Sequence, residues 1–256
     1  MYRGHVKINM KNLILVASFF LCGSTCFGQT TLDNYVKAKE ILKDLDSIAN
    51  PNGIQESYFA NIGGIKQWVN VRGQDKNNPI ILFVHGGPAS PMSPITWMYQ
   101  KPFEEFFTIV HYDQRASGKT YAANDTIQLG KTLNIDQYMN DALELSGFIT
   151  KKYNKKKLIL IGHSWGTVVA MKAVLKNPEL YYAYVGIGQV INSKDNERYS
   201  FDFAIDQATN AKNVTALKEL ESIAPYPGNQ PITRERIIIA RKWAQYYGGL
   251  DRKSVV

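Results

Sequence analysis

Three short stretches carry residue types suited to chemistry at a carbonyl group. In Lys157-Leu158-Ile159-Leu160-Ile161-Gly162-His163-Ser164-Trp165-Gly166-Thr167 a serine stands between two glycines, as G-x-S-x-G. The bare pattern is common, but here an apolar run precedes it and a helix-forming segment follows. That context predicts a sharp strand-to-helix turn with Ser164 at its apex and glycines where a Cβ would not fit. A hydroxyl at a helix N-terminus also sits where the dipole favours developing negative charge. The second stretch is Val84-His85-Gly86-Gly87-Pro88, at the end of the apolar run Ile80–Val84. Two glycines there let the backbone approach a ligand closely, so that the N–H groups of Gly87 and of Trp165 form a candidate oxyanion hole. His85, inside this glycine turn, is expected to be hydrogen-bonded and structural. The third is Asp113-Gln114-Arg115-Ala116-Ser117-Gly118, after the apolar run Phe107–Tyr112.

The elements that must position these residues follow from hydrophobic patterning. Leu32–Ile48 has helical spacing and stops at Asn50-Pro51-Asn52-Gly53. Glu56–Ile62 and Ile65–Val71 read as strands joined by Gly63-Gly64, a hairpin signal. Ile80–Val84, Phe107–Tyr112, Leu158–Ile161 and Ala183–Ile187 are continuous apolar runs of the buried-strand type. Asn134–Lys152 is a predicted helix with Asn134 and Gln137 as a capping box and Ile135, Met139, Ala142, Leu145 and Ile149 on one face. Trp165–Lys176 is a second helix, ended by Asn177-Pro178. Strands alternating with helices predict an α/β architecture with a mostly parallel sheet flanked by helices. From Asn192 the strand signal stops, and Phe201–Ala208, Thr215–Ile223 and Thr233–Tyr247 read as helices.

The chain has 256 residues, 45% hydrophobic and 20% charged, with 30 Lys+Arg against 22 Asp+Glu. This is a globular composition. Residues 1–28 hold Arg3, Lys7 and Lys11 and no acid, then the apolar run Leu13–Leu21 and small or polar residues up to Gly28. That order predicts a secretory signal peptide cleaved near Gly28 and an exported, periplasmic or extracellular, protein. The apolar run is shorter than the ~18–20 residues needed to cross a bilayer, so no stable membrane span is expected after cleavage. Cleavage leaves 228 residues, 27 basic and 22 acidic, a net +5, and removes both cysteines, Cys22 and Cys26. A disulfide, a thiolate metal site and cysteine catalysis are then excluded. The lysines at 151, 152, 155, 156 and 157 read as a solvated helix C-terminus rather than a nucleic-acid surface. Ser117-Gly118-Lys119-Thr120 imitates the end of a phosphate loop, but Asp113 stands where that loop needs its first glycine.

Taken together, His85-Gly86-Gly87-Pro88-Ala89, Asp113-Gln114-Arg115-Ala116-Ser117-Gly118 and Gly162-His163-Ser164-Trp165-Gly166 resemble the proline iminopeptidase (prolyl aminopeptidase) branch of the α/β-hydrolase fold. The resemblance covers about Glu56 to Asn192. It departs at Ala89 and Ala116, where the family has glycine. It implies a hydrolase core over 29–192, the start of a helical cap over 193–256, and no metal or cofactor. It also implies structural roles for Asp113 and Arg115 beside the site, with Gly86, Pro88, Gly162 and Gly166 supporting the turns. The implied activity is release of an N-terminal residue, proline-type, from a small peptide through an acyl group on Ser164. An esterase or lipase acting on an acyl substrate by the same machinery is the alternative within the enzyme class. The oligomeric state stays open.

In that fold the chain order is Ser, then Asp or Glu, then His. The four histidines are His5, His85, His111 and His163, and none follows Ser164. Asp195 is an acid only in a variant arrangement. The triad acid and base are therefore not expected within this chain, which reads as C-terminally truncated inside the cap with the last strands missing. A catalytically inactive binding protein on the same fold is the alternative from outside the enzyme class.

Overall fold

The computed structural model describes residues 36–37, 47–229 and 232–249. The expected leader, 1–28, and most of the expected helix Leu32–Ile48 lie outside the described residues.

One sheet of six strands is ordered β1-β2-β4-β3-β5-β6, with β1 Ile54–Ile62, β2 Ile65–Gly73, β3 Ile80–Val84, β4 Thr108–Tyr112, β5 Leu158–His163 and β6 Tyr181–Ile187. The β1–β2 hairpin turns through Gly63 and Gly64 at φ 58° and 74°, the positive pair that a two-residue turn needs. β2 also pairs antiparallel with β4, whereas β3 pairs parallel with β4 and β5, and β5 parallel with β6. All five residues of β3 and of β4 are buried. The expected run Ala183–Ile187 behaves differently. Among the described residues β6 has a strand neighbour, β5, on one side only, and Val185 and Ile187 are 44% and 41% exposed, because a continuous apolar run does not encode whether a neighbour lies on each side.

Eight α-helices follow among the described residues: α1 Lys101–Glu104, α2 Gly118–Ala122, α3 Thr126–Gly130, α4 Ile135–Lys152, α5 Trp165–Lys176, α6 Ser193–Asn210, α7 Val214–Glu221 and α8 Arg234–Tyr246. None is long and apolar enough to cross a membrane. The three short helices α1–α3 have no apolar period to announce them. Helix α4 buries Met139, Ala142, Leu145 and Ile149 as patterned, but Ile135, at its first position, is 40% exposed beyond the packed stripe. Its start is capped by Asn134, whose side chain accepts from Gln137 N at 2.9 Å. The reciprocal half of the expected capping box is absent, because the Gln137 amide donates instead to Asp141 Oδ1 at 2.8 Å.

Two separate apolar clusters result. The first joins the sheet to α4 and α5 through residues such as Leu82, Val110, Leu145, Leu160 and Ala170. The second lies among α6, α7 and α8, where Ala204, Ala208, Ala216, Ala240 and Ala244 let the helices approach around Phe201, Leu220 and Trp243. Helix α6 begins eight residues before the expected Phe201, at Ser193. Asn192 caps it by accepting from Lys194 N and Asp195 N, and its polar first turns carry no hydrophobic period.

Candidate active site

The C-terminal ends of three adjacent strands, β4, β3 and β5, bring the three sequence stretches side by side. Ser164 follows β5 directly and caps α5 with φ 50° and ψ −121°, a region that L-residues rarely occupy. Its N–H donates to Ile187 O at 2.8 Å, and its carbonyl accepts from Thr167 Oγ1 at 2.6 Å. The turn is thus fixed from both sides while Oγ, among the described residues, has no hydrogen-bond partner. Space explains the flanking glycines. A Cβ at Gly166 would collide with the Val84 carbonyl, and one at Gly162 would lie 2.8 Å from Gly166 O.

The loop after β3 lies against this turn: a Cβ at Gly86 would stand 3.1 Å from the Ser164 Cβ and 3.0 Å from His163 Nδ1. Gly87 has φ 118°, open to glycine. Among the described residues neither the Gly87 nor the Trp165 N–H donates to a protein acceptor. Pro88 follows, and Ala89 takes φ 65°.

His85 is 1% exposed and bonded at both ring nitrogens. Nε2 accepts from Gln114 N at 3.1 Å, which leaves Nδ1 protonated to donate to Gly86 O at 2.9 Å. Burial pushes its pKa down to about 4, against the smaller opposing effect of the Gly86 bond. The imidazole is therefore neutral near pH 7 with both nitrogens committed. His111, in β4, donates Nε2–H to Gln100 Oε1 at 2.9 Å and is held down to about 3 by burial and then by His85. His163 keeps a buried Nδ1 with no partner.

The turn after β4 is a knot of hydrogen bonds. Asp113 Oδ2 accepts from Lys119 N at 2.7 Å and Asp113 O from Thr120 Oγ1 at 2.6 Å. Burial raises the Asp113 carboxyl pKa, opposed by Lys119. That carboxylate fills the amide position at the start of α2 which a phosphate loop would offer its ligand. Arg115, 1% exposed, grips Asp141 in α4 at two points, Nε to Oδ2 at 2.6 Å and Nη2 to Oδ1 at 2.8 Å. It also donates to Thr132 Oγ1 and to Gly63 O of the hairpin. Ala116 has φ 61°. Both positions where the motifs carry alanine are therefore left-handed, so each keeps the glycine conformation at a steric cost.

Asp195 does not reach the site's hydrogen bonds. Its carboxylate accepts from Asn192 Nδ2 at 2.7 Å and Arg198 Nη2 at 3.1 Å in the first turn of α6. Sequence reasoning passed over Asp141, Gln67 and Thr167. Nothing local marks them, since their partners lie on other elements: Gln67 Nε2 donates to Asp141 Oδ2 at 2.8 Å, and Thr167 Oγ1 accepts from Val190 N at 3.0 Å. Among the described residues no group of His, Cys, Asp and Glu is placed to hold a metal ion.

Known proteins share the family and the fold of this chain. A "probable aminopeptidase YbaC" of Bacillus subtilis (strain 168) is 35% identical over 159 residues, 62% of this chain and 49% of that protein. A proline iminopeptidase of Elizabethkingia meningoseptica is 30% identical over 120 residues, 45% of this chain and 36% of that protein. The matches thus span about half the length of these curated relatives or less. Among solved structures, a proline iminopeptidase-related protein from Thermus thermophilus superposes with a TM-score of 0.50 at 18% identity, covering 77% of this chain and 67% of that one. At this identity the likeness speaks to the fold alone. A family model described as the alpha/beta hydrolase fold matches residues 79–220, more than half of the sequence and the span that holds all three strand-end turns, and the chain belongs to this α/β-hydrolase family.

Proposed function

We propose that the protein is a serine hydrolase of the aminopeptidase type, in which Ser164 attacks the carbonyl carbon of a substrate's N-terminal residue. The amide groups of Gly87 and Trp165 hold the resulting oxyanion; its collapse breaks the peptide C–N bond, the shortened peptide leaves as an amine that takes up a proton, and water then hydrolyses the Ser164 ester to free the N-terminal residue. The observation that carries this reading is the Ser164 backbone at φ 50°, held in a strand-to-helix turn with its hydroxyl uncommitted. Such strain persists where the surroundings over-determine it, as at a presented nucleophile. The names of the two curated relatives favour a peptide substrate, and proline at its N-terminus. The exported location expected from residues 1–28 belongs to the same proposal.

Treatment with a fluorophosphonate probe and mapping of the adduct tests the nucleophile: label on Ser164, and none on Ser164→Ala, is expected. Label elsewhere sinks the assignment. Substrate class is tested by kcat/KM for proline β-naphthylamide against p-nitrophenyl butyrate, where preference for the ester turns the reading to an esterase.

A second reading is favoured by one specific observation. Among the described residues no histidine nitrogen is bonded to Ser164: His85 commits both ring nitrogens, to Gly86 O and Gln114 N, and His111 Nε2 is bonded to Gln100 Oε1. A hydrolase fold that binds an acyl or peptide ligand without turning it over fits that fact. Saturable ligand binding with no probe labelling would establish it.

A further inference from the structure

Gln114 takes no part in the attack on a carbonyl, yet it grips the glycine loop at two points. Its backbone N–H donates to the His85 ring at Nε2, 3.1 Å, and its side-chain Nε2 donates to the His85 carbonyl at 2.7 Å. Ser117 closes the arrangement: its Oγ lies 3.3 Å from the same His85 nitrogen, but its proton goes to Gln114 O at 2.7 Å. On the far side of the loop stands the Ser164 turn. A Cβ on Gly166 would lie 2.7 Å from His85 O, and one on Gly86 would lie 3.1 Å from the Ser164 Cβ. The segment His85–Gly87 is thus sandwiched between Gln114 and the nucleophile turn, with no freedom to retreat from either.

One feature of Gln114 is costly for a residue that only fills space. It is 1% exposed, and its Oε1 is buried with no partner. A methionine of similar shape would avoid burying that acceptor. What only the amide can do is donate to the His85 carbonyl. We propose that Gln114 is a positioning residue, whose side chain and main chain hold His85 so that the Gly87 N–H is fixed relative to Ser164. This rests on the reading of Ser164 as nucleophile and of Gly87 as oxyanion donor. Misplacing a preorganised donor weakens the transition state and leaves ground-state binding little changed.

The test uses the full chain and p-nitrophenyl acetate as probe. Ser164 Oγ bonds to the acetyl carbon, the ester C–O bond breaks, p-nitrophenolate leaves, and the hydroxyl proton passes to water. Acylation is followed by nitrophenolate release and located by peptide mass. For Gln114→Met the maximal acylation rate should fall about 10- to 100-fold, with the half-saturating concentration within about threefold of the parent. Gln114→Asn, which keeps an amide but shortens its reach, serves if the methionine variant does not fold. Equal maximal rates, or a loss no larger than the loss of folded protein by circular dichroism, overturn the proposal. If the parent chain is not acylated at Ser164, the nucleophile reading fails instead, and the clamp is then judged by ¹⁵N resonances. Displacement of the His85 Nε2 and Gly87 amide signals in Gln114→Met supports it, and unchanged signals overturn it.

Discussion

The turns after β4 and β5 flank the same glycine loop, both run from a parallel strand into a helix, and both contain a non-glycine residue at positive φ. They differ in how their side chains are spent. After β4, Asp113, Gln114, Arg115 and Ser117 are all buried and hydrogen-bonded, reaching the glycine loop, the hairpin, α2 and α4. After β5, the backbone of Ser164 is tied at both ends while its hydroxyl is tied to nothing among the described residues. A turn whose side chains are all engaged is scaffold, and a turn held by its backbone alone leaves a side chain available for chemistry. The polar composition of the two motifs does not reveal this division.

The contrast is most open to attack at Arg115. Replacing it with methionine leaves Asp141 as a buried carboxylate without its cation, so urea unfolding should show a loss of about 3–5 kcal/mol. Ser164→Ala, which removes no hydrogen bond, should stay within about 1 kcal/mol of the parent. Comparable losses at the two sites would erase the distinction.

Acid should strike the engaged side next. His85 and His111 are held neutral by burial, at about 4 and about 3, whereas in the unfolded chain each takes a proton near 6.5. Stability from these groups is full above pH 6.5 and is lost as pH falls through the folded values. Between pH 6.5 and 4.5 each histidine should cost about 2–3 kcal/mol. Asp113 works in the opposite sense. Its raised folded pKa means that protonation favours the folded state as pH falls toward the unfolded value of 3.8. Urea midpoints at pH 7 and 4.5 for the parent and for His111→Gln check the sign, with the variant expected to lose less. A variant that loses as much as the parent would show that His111 is not held neutral.

The smallest effects sharpen the comparison of strain. Ser164 at φ 50° and ψ −121° lies outside the allowed regions for L-residues, whereas the φ of 61° at Ala116 is within the range of the left-handed α region. Ser164→Gly should therefore stabilise by about 1 kcal/mol, after allowing for the entropy glycine adds to the unfolded chain. Ala116→Gly should gain about 0.5 kcal/mol or less by the same reckoning. Thermal melts of the two variants suffice, and the reverse order would mean that the strain is not concentrated at the nucleophile turn.

Much of the fold can be read from runs of residues. Ile80–Val84 and Leu158–Ile161 are apolar without alternation, and such segments are stable only with both faces covered, which implies a parallel sheet with helices around it. The same runs locate the three motif turns at strand ends, and Gly162, Gly166 and Gly86 mark where chain segments pass too close for a Cβ. These inferences hold because they depend on neighbours in sequence. The pairing of Arg115 with Asp141, of Gln114 with His85 and of Thr167 with Val190 links residues 26, 29 and 23 positions apart on different elements. Their partners are chosen by the strand order β4-β3-β5 and by the helices that order brings near, which no local pattern carries. For His85 the glycine turn already points to a hydrogen-bonded, structural role, and the tertiary structure supplies the partners, Gly86 O and Gln114 N. The exposure along β6 is also decided by tertiary structure: its apolar run reads as a buried strand, yet among the described residues Val185 and Ile187 are 44% and 41% exposed, because burial depends on what lies beside a strand.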